Sequence, residues 1–260
     1  MSGFSQMLWL RGLGLWTTGF ADPAAYVAKL VDPAVKEPRA ELLPVRLRRR
    51  TGLITRMAAE VVGQAAAGSD LELPSLTLVF ASVYGEIQTT LELLAQIVDE
   101  PGSPLSPAKF HNSVHNTATG YLSIATGSHL GSTSISGGAA SLAYALVEAA
   151  TMIRGGVGPV MVVLAEEPLP EPLAQGRVYA PLAAAFLLDA PPADRSGARL
   201  VRIAVGAATE AQALTTDAPS LTANPCATAL ALVAALHHGD AGAYALSPAD
   251  ESPFFVLEAL

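Results

Sequence analysis

STSISGGAASLAYALVEAA, residues Ser132 to Ala150, runs from a Thr/Ser/Ile stretch through Gly137 and Gly138 into a long apolar segment with helical periodicity. A strand that turns sharply into a helix usually presents a Cys or Ser at the turn, where unpaired backbone N–H groups and the helix dipole stabilise a thiolate or oxyanion. Here Ala139 stands where the nucleophile is expected. Gly137 and Gly138 supply the backbone freedom of such an elbow, and alanine leaves it without chemistry.

Outward from the elbow, strand and helix signals alternate. Met7–Leu15 reads as a first strand, and Asp22 before Pro23 reads as the N-cap and first position of a helix over Pro23–Val31. Pro33–Arg50 reads as loop, Gly52–Ala67 as a helix stopping at Gly68, Leu76–Ala81 as a buried strand and Glu86–Val98 as a helix. Asn112–Thr126 reads as one helix of small residues and Thr133–Ser136 as the central strand, followed by the helix Ala140–Arg154. Val160–Ala165, Ala180–Asp189 and Val201–Ala207 read as strands, Pro225–Leu236 as a helix and Phe254–Leu257 as a weak strand. Strands separated by helices predict an α/β fold with a mainly parallel sheet flanked by helices.

The chain has 260 residues, within the reach of one large α/β domain, and the expectation is a single domain over 1–260. Hydrophobic residues make up 51% and charged residues 15%, against roughly 25% charged in an ordinary soluble domain. That shortage of charge predicts an apolar face buried on a partner, with the Ala-rich composition accounting for part of the excess. A net charge of −8 and a pI near 5.1 leave no footprint for nucleic acid or an anionic membrane. The one basic run, Arg46 to Arg50, is either a solvated face or a docking site for an acidic protein. A single cysteine, Cys226, excludes an internal disulfide framework and a cysteine-based zinc site. No stretch has the 18 or so apolar residues of a membrane span, and the N-terminus lacks a signal-peptide layout, so a cytoplasmic location is expected.

Ser113–Gly127, SVHNTATGYLSIATG, with Asn116 and Gly120, resembles the helix before the active-site strand of the β-ketoacyl synthases. Ser134-Ile135-Ser136-Gly137-Gly138-Ala139 resembles their elbow S-I-x-x-x-C, and Val160–Glu167, VMVVLAEE, resembles the strand ending in an acidic residue. FASxYGE at Phe80–Glu86, SPxxFHNSVHNTATGY at Ser106–Tyr121 and PLPEPLA at Pro168–Ala174 are similar to the short chain-length-factor proteins of aryl polyene and type II polyketide pathways. The resemblance implies a thiolase-like fold corresponding to the N-terminal half of a ketosynthase, with 208–260 a reduced C-terminal cap. It also implies pairing with an active ketosynthase, and an acyl carrier protein as the acidic partner of Arg46, Arg48, Arg49 and Arg50. The chain departs from a working ketosynthase in lacking the Cys and both His-bearing motifs, G-T-x-T and K-S-x-x-G-H.

On that resemblance Ser132, Thr133, Ser134, Ile135 and Ser136, with His115 and Asn116, are interface residues, and Ala108, Phe110 and His111 line or gate an acyl tunnel. No residue is catalytic, and no cofactor or metal is called for. His115 also reads as a hydrogen-bonded packing residue. His237 and His238 point about 100° apart on a helix and form no metal site. Glu166 and Glu167 point to opposite faces of a strand end, with Glu167 a structural acceptor. Gly12-Leu13-Gly14 opens a dinucleotide fingerprint that Thr17 breaks, and Cys226 reads as an inert packed thiol. Two other readings stand beside the chain-length factor: a malonyl-thioester decarboxylase or acyltransferase without the Cys, using backbone donors at the elbow, and a homodimeric scaffold.

Overall fold

The computed structural model describes residues 4–67, 69–171, 173–205, 212–214, 216, 218–246 and 255–259. The helix stop at Gly68, the end of the strand expected to reach Ala207, Phe254 and part of the 208–260 cap lie outside these residues. The order of elements is β1 Ser5–Thr17, α1 Pro23–Val27, α2 Val45–Arg48, α3 Leu53–Ala66, β2 Thr77–Ala81, α4 Ile87–Asp99, α5 Pro107–His111 and α6 Thr117–Thr126. There follow β3 Ser132–Ile135, α7 Ser141–Arg154, β4 Val160–Glu166, β5 Leu182–Asp189, β6 Leu200–Val205, β7 Gln212–Ala213, α8 Pro219–Thr222, α9 Ala227–His238, β8 Gly242–Ala245 and β9 Phe255–Ala259.

Among the described residues the strands form one nine-stranded sheet in the order β3-β2-β4-β5-β1-β6-β9-β8-β7. Side-chain alternation divides the core between its faces. Val79, Ala81, Val162, Leu164 and Phe186 pack with α7 and α9 on one face, while Leu78, Phe80, Met161, Val163 and Leu187 pack with α3 and α6 on the other. β4 is buried along its whole length, as a strand covered on both faces must be.

The sheet is mixed, not mainly parallel. β2 runs parallel to β3 and β4, and β7 to β8, but β4–β5, β5–β1, β1–β6, β6–β9 and β9–β8 are antiparallel. A parallel return needs a crossover of a dozen or more residues, usually a helix. The loop from Glu167 to Pro181 supplies none among its described residues, so β5 comes back beside β4 in reverse.

The G-x-G of β1 serves packing. A Cβ on Gly12 would lie 1.9 Å from the Ala65 carbonyl oxygen and one on Gly14 2.2 Å from that of Val61, so the two glycines let the α3 backbone rest directly on the strand. Between them and Leu10 the register shifts at Arg11. That bulged residue pairs with Asp70 and with Asp189, at 2.8 Å for the latter, and its guanidinium sits over Trp9.

The helix expected over Asn112–Thr126 is broken. Ser106 caps and Pro107 opens a separate short helix, α5. Asn112 then ends it by using its side chain elsewhere: Nδ2 donates to the Arg50 carbonyl at 2.8 Å, and Oδ1 accepts from Tyr121 at 3.0 Å. The helix resumes at Thr117 and stops at Gly127, whose φ of 70° makes it an αL cap.

Candidate functional site

β3 is the edge of the sheet, with β2 as its sole partner among the described residues. Leu78 N–H donates to the Gly131 carbonyl and Ser82 N–H to that of Ile135. In a parallel ladder the residues facing a neighbour alternate, so Thr133 and Ile135 turn their backbone groups toward β2, and Ser132 and Ser134 turn theirs outward. Large apolar side chains near this end of the molecule are exposed, among them Phe110, Val114, Ile124 and Leu130. His115 is half-buried, packs edge-on against Phe80 and donates from Nε2 to the Ser82 carbonyl at 2.9 Å. Asn116, Ala108 and His111 are exposed.

β3 passes through Ser136 into the elbow. Ser136 Oγ donates to the Val83 carbonyl at 3.1 Å. Gly137 N–H donates to Ser141 Oγ at 3.0 Å, and that hydroxyl donates to the Gly138 carbonyl at 2.8 Å, so the first residue of α7 pins the turn. The left-handed residue is Gly138, at φ 56°, one position before Ala139. A Cβ on Gly137 would fall 2.4 Å from the Tyr144 ring, which rests over the turn. Ala139 is exposed within a 3₁₀ turn, Gly138–Ala140. Neither the left-handed apex nor the residue after it carries a nucleophilic atom.

Among the described residues no imidazole takes part in the hydrogen bonds of the elbow. His237 and His238 are exposed on the last turn of α9, ahead of the αL cap Gly239, where the negative end of the helix favours them. Cys226 is buried, and burial together with Glu166 pushes its thiol well above the ordinary range, the opposite of an activated cysteine. Among the described residues no group of His, Cys, Asp and Glu could hold a metal ion, and no helix is long and apolar enough to cross a membrane.

Behind the elbow lies a group of three buried carboxyls that the sequence reading did not assemble. Glu86 precedes α4; a Cβ on Gly52, the N-cap of α3, would come within 2.2 Å of its Oε2, so glycine opens the helix N-terminus to the carboxyl. Thr55 donates to its Oε1 at 2.6 Å. Glu166 Oε2 accepts from Ser82 Oγ at 3.1 Å and Val83 N–H at 2.6 Å, and Glu167 Oε1 from Gln88 N–H at 3.2 Å. β4 ends at Glu166, so strand alternation does not extend to Glu167, and the two neighbours grip one turn instead of facing apart. Burial raises Glu86 and Glu166 to about 7, and burial with the negative potential of Glu86 raises Glu167 to about 8. The signal available in sequence was the pair of glutamates closing an apolar strand.

The chain belongs to the β-ketoacyl synthase family: the model of the β-ketoacyl synthase N-terminal domain matches residues 24–248. Its thiolase-like fold is shared by a chain of the ketosynthase ApeO in complex with its chain length factor ApeC from Xenorhabdus doucetiae, at 20% identity, a TM-score of 0.72 and coverage of 97% of this chain and 99% of that one. The ishigamide ketosynthase/chain length factor matches at 14% identity and a TM-score of 0.69, covering 98% of both chains. A type II polyketide synthase acyl-carrier protein in complex with its ketosynthase, AntDE:AntF, matches at 18% identity and a TM-score of 0.57, over 72% of this chain and 64% of that one. No curated protein matches at a significant level.

Proposed function

We propose that this chain is a catalytically silent ketosynthase homologue, a chain-length factor that pairs with an active β-ketoacyl synthase in a type II polyketide, aryl polyene or fatty-acid-like pathway. The observation that carries the reading is the junction of β3 and the elbow: an edge strand with outward Ser132 and Ser134 leads into a turn with no nucleophile at Gly138 or Ala139. An edge strand is a template for another strand. Paired antiparallel with its counterpart in the ketosynthase across a pseudo-two-fold axis, it continues the sheet into the partner. His115 and Asn116 border that contact, and the exposed α5, with Ala108, Phe110 and His111, reaches into the partner's acyl tunnel. The partner performs the decarboxylative condensation.

We read 1–260 as one domain, with 208–260 a reduced C-terminal cap; β8 and β9 continuing the sheet support this. Acyl carrier protein docking on the basic run is a smaller part of the proposal. Arg48 is already engaged with the Arg39 and Leu43 carbonyls, which leaves exposed Arg46, Arg49 and Arg50; the link from Asn112 to the Arg50 carbonyl sets them beside α5.

The test is co-expression with the ketosynthase encoded nearest to it, then affinity capture and light scattering of wild type and Ser134→Pro. A one-to-one heterodimer in the wild type that is lost in the variant is the expected result. A stable homodimer formed without the ketosynthase moves the reading to a scaffold, and malonyl-thioester decarboxylation by the isolated chain moves it to an enzyme.

A further inference from the structure

We propose that Glu166, at the end of β4, is a positioning residue for the open edge of the sheet: its carboxyl fixes Ser82 and Val83, and these two hold β3, the start of the elbow and His115 in the geometry that a partner strand meets. Its effect on association rests on the pairing proposed above; its effect on the edge does not. Glu166 is 0% exposed and stands two strands from the edge, in the order β4-β2-β3. A partner on β3 therefore never touches it, and whatever it contributes to association passes through Ser82 and Val83.

β2 ends at Ala81, so Ser82 and Val83 lie beyond the regular strand and take their conformation from the bonds they make. All five of their polar groups are committed. Two face inward, the Ser82 hydroxyl and the Val83 N–H, and both donate to Glu166 Oε2, at 3.1 and 2.6 Å. Three face the edge. Ser82 N–H donates to the Ile135 carbonyl of β3 at 3.2 Å, the Ser82 carbonyl accepts from His115 Nε2 at 2.9 Å, and the Val83 carbonyl accepts from Ser136 Oγ at 3.1 Å. The inward bonds are donated to a carboxyl and gain strength as it ionises, whereas the outward three end on backbone carbonyls, so the inward pair is the firmer anchor. The Ser82 hydroxyl also accepts from Gly85 N–H at 2.8 Å, which extends the same hold into the turn that leads to α4. One side chain thus orients both carbonyls that Ser136 and His115 grip and the amide that closes the end of β3.

The experiment is hydrogen exchange by mass spectrometry on the full chain alone at a single pH. It compares wild type with Glu166→Met, which keeps the length and loses the oxygen acceptors, Glu166→Gln, which keeps one, and Ser82→Ala, which removes the hydroxyl bond from the other side. In Glu166→Met, peptides covering 113–117 and 132–137 are expected to lose about tenfold in protection while peptides from β5 and α9 hold theirs. Glu166→Gln should restore most of that loss, and Ser82→Ala should show a loss of about threefold. Wild-type protection of 132–137 in Glu166→Met, a loss in Glu166→Gln as large as in Glu166→Met, or an equal loss in β5 overturns the role; should Glu166→Met fail to fold, wild-type protection of 132–137 in Ser82→Ala does so. Co-expression with the ketosynthase then reads the effect on association, where capture by Glu166→Met is expected to fall about tenfold and capture by Glu166→Gln to stay near wild type. Unchanged capture by Glu166→Met, where wild type pairs, overturns the transmitted effect. A wild type that never pairs defeats only the pairing, because the exchange result needs no partner.

Discussion

β3 and β4 flank the same strand, both parallel to β2, and have opposite characters. β4 reads VMVVLAE and is buried at every residue; β3 reads STSI and is only partly covered. A strand with neighbours on both sides and helices on both faces can be wholly apolar, and its burial underwrites the fold. A strand at the rim keeps unpaired backbone groups and hydroxyl side chains, which limits indiscriminate pairing and leaves it open to one matched partner. The stability of this chain thus resides two strands inward from the open edge of the sheet.

The largest expected effect is on the inner strand. Val162→Asp places a carboxylate in the core shared with α7, and the loss should exceed about 4 kcal/mol; circular dichroism should show no cooperative melt. A folded variant with a wild-type melting curve would mean that β4 is not the interior strand described here.

Next comes the ionisable end of β4. The raised carboxyls bind protons in the folded state more tightly than in the unfolded chain, so their contribution is full below about pH 4.5 and declines as pH rises through about 7 to 8. Above that it is lost. Burial on this scale makes the change for a single carboxyl on the order of 3 kcal/mol, or a fall in Tm of about 5–10 °C. Calorimetry of wild type against Glu167→Gln should show a shallower decline in the variant.

The third prediction separates the two sides of β3. Thr133→Pro removes a donor to β2 and should cost about 1–3 kcal/mol by denaturant titration. Ser134→Pro removes an outward donor and should cost less than about 0.5 kcal/mol while abolishing partner binding. Equal destabilisation by the two would show that the outward edge is covered within the chain.

The contrast also marks how much was legible in the sequence. β4 announced itself as an uninterrupted apolar run, and the elbow as two glycines between a β-branched stretch and an apolar helix. The cap Asp22–Pro23 was equally readable, with Ala25 N–H donating to Asp22 Oδ1 at 2.8 Å, although α1 ends at Val27 and not Val31. Sheet direction was not legible, because it depends on whether a connection contains a helix, and the Glu167–Pro181 loop carries none among its described residues. The break before α6 depends on Asn112 bonding to Arg50, sixty-two residues away, and no local pattern contains that. Nor could spacing assemble Glu86 with Glu166 and Glu167, since their meeting follows from the adjacency of β2 and β4.

The smallest expected effect concerns the elbow itself. Ala139→Cys puts a thiol on an exposed position with an ordinary backbone, and its Tm should stay within about 1 °C of wild type. Gly138→Cys finds open space for its Cβ, but a side chain at φ 56° should cost about 1–2 kcal/mol. Neither variant should condense malonyl and acyl thioesters, because a thiol without an adjacent base or cation keeps its proton at neutral pH. Assaying both for carbon–carbon bond formation and for alkylation by iodoacetamide against pH distinguishes the causes. Slow alkylation with no turnover places the deficit in the missing bases. Rapid alkylation near neutrality would show that the elbow alone activates a thiol, and turnover would show that this edge of the sheet retains catalytic machinery.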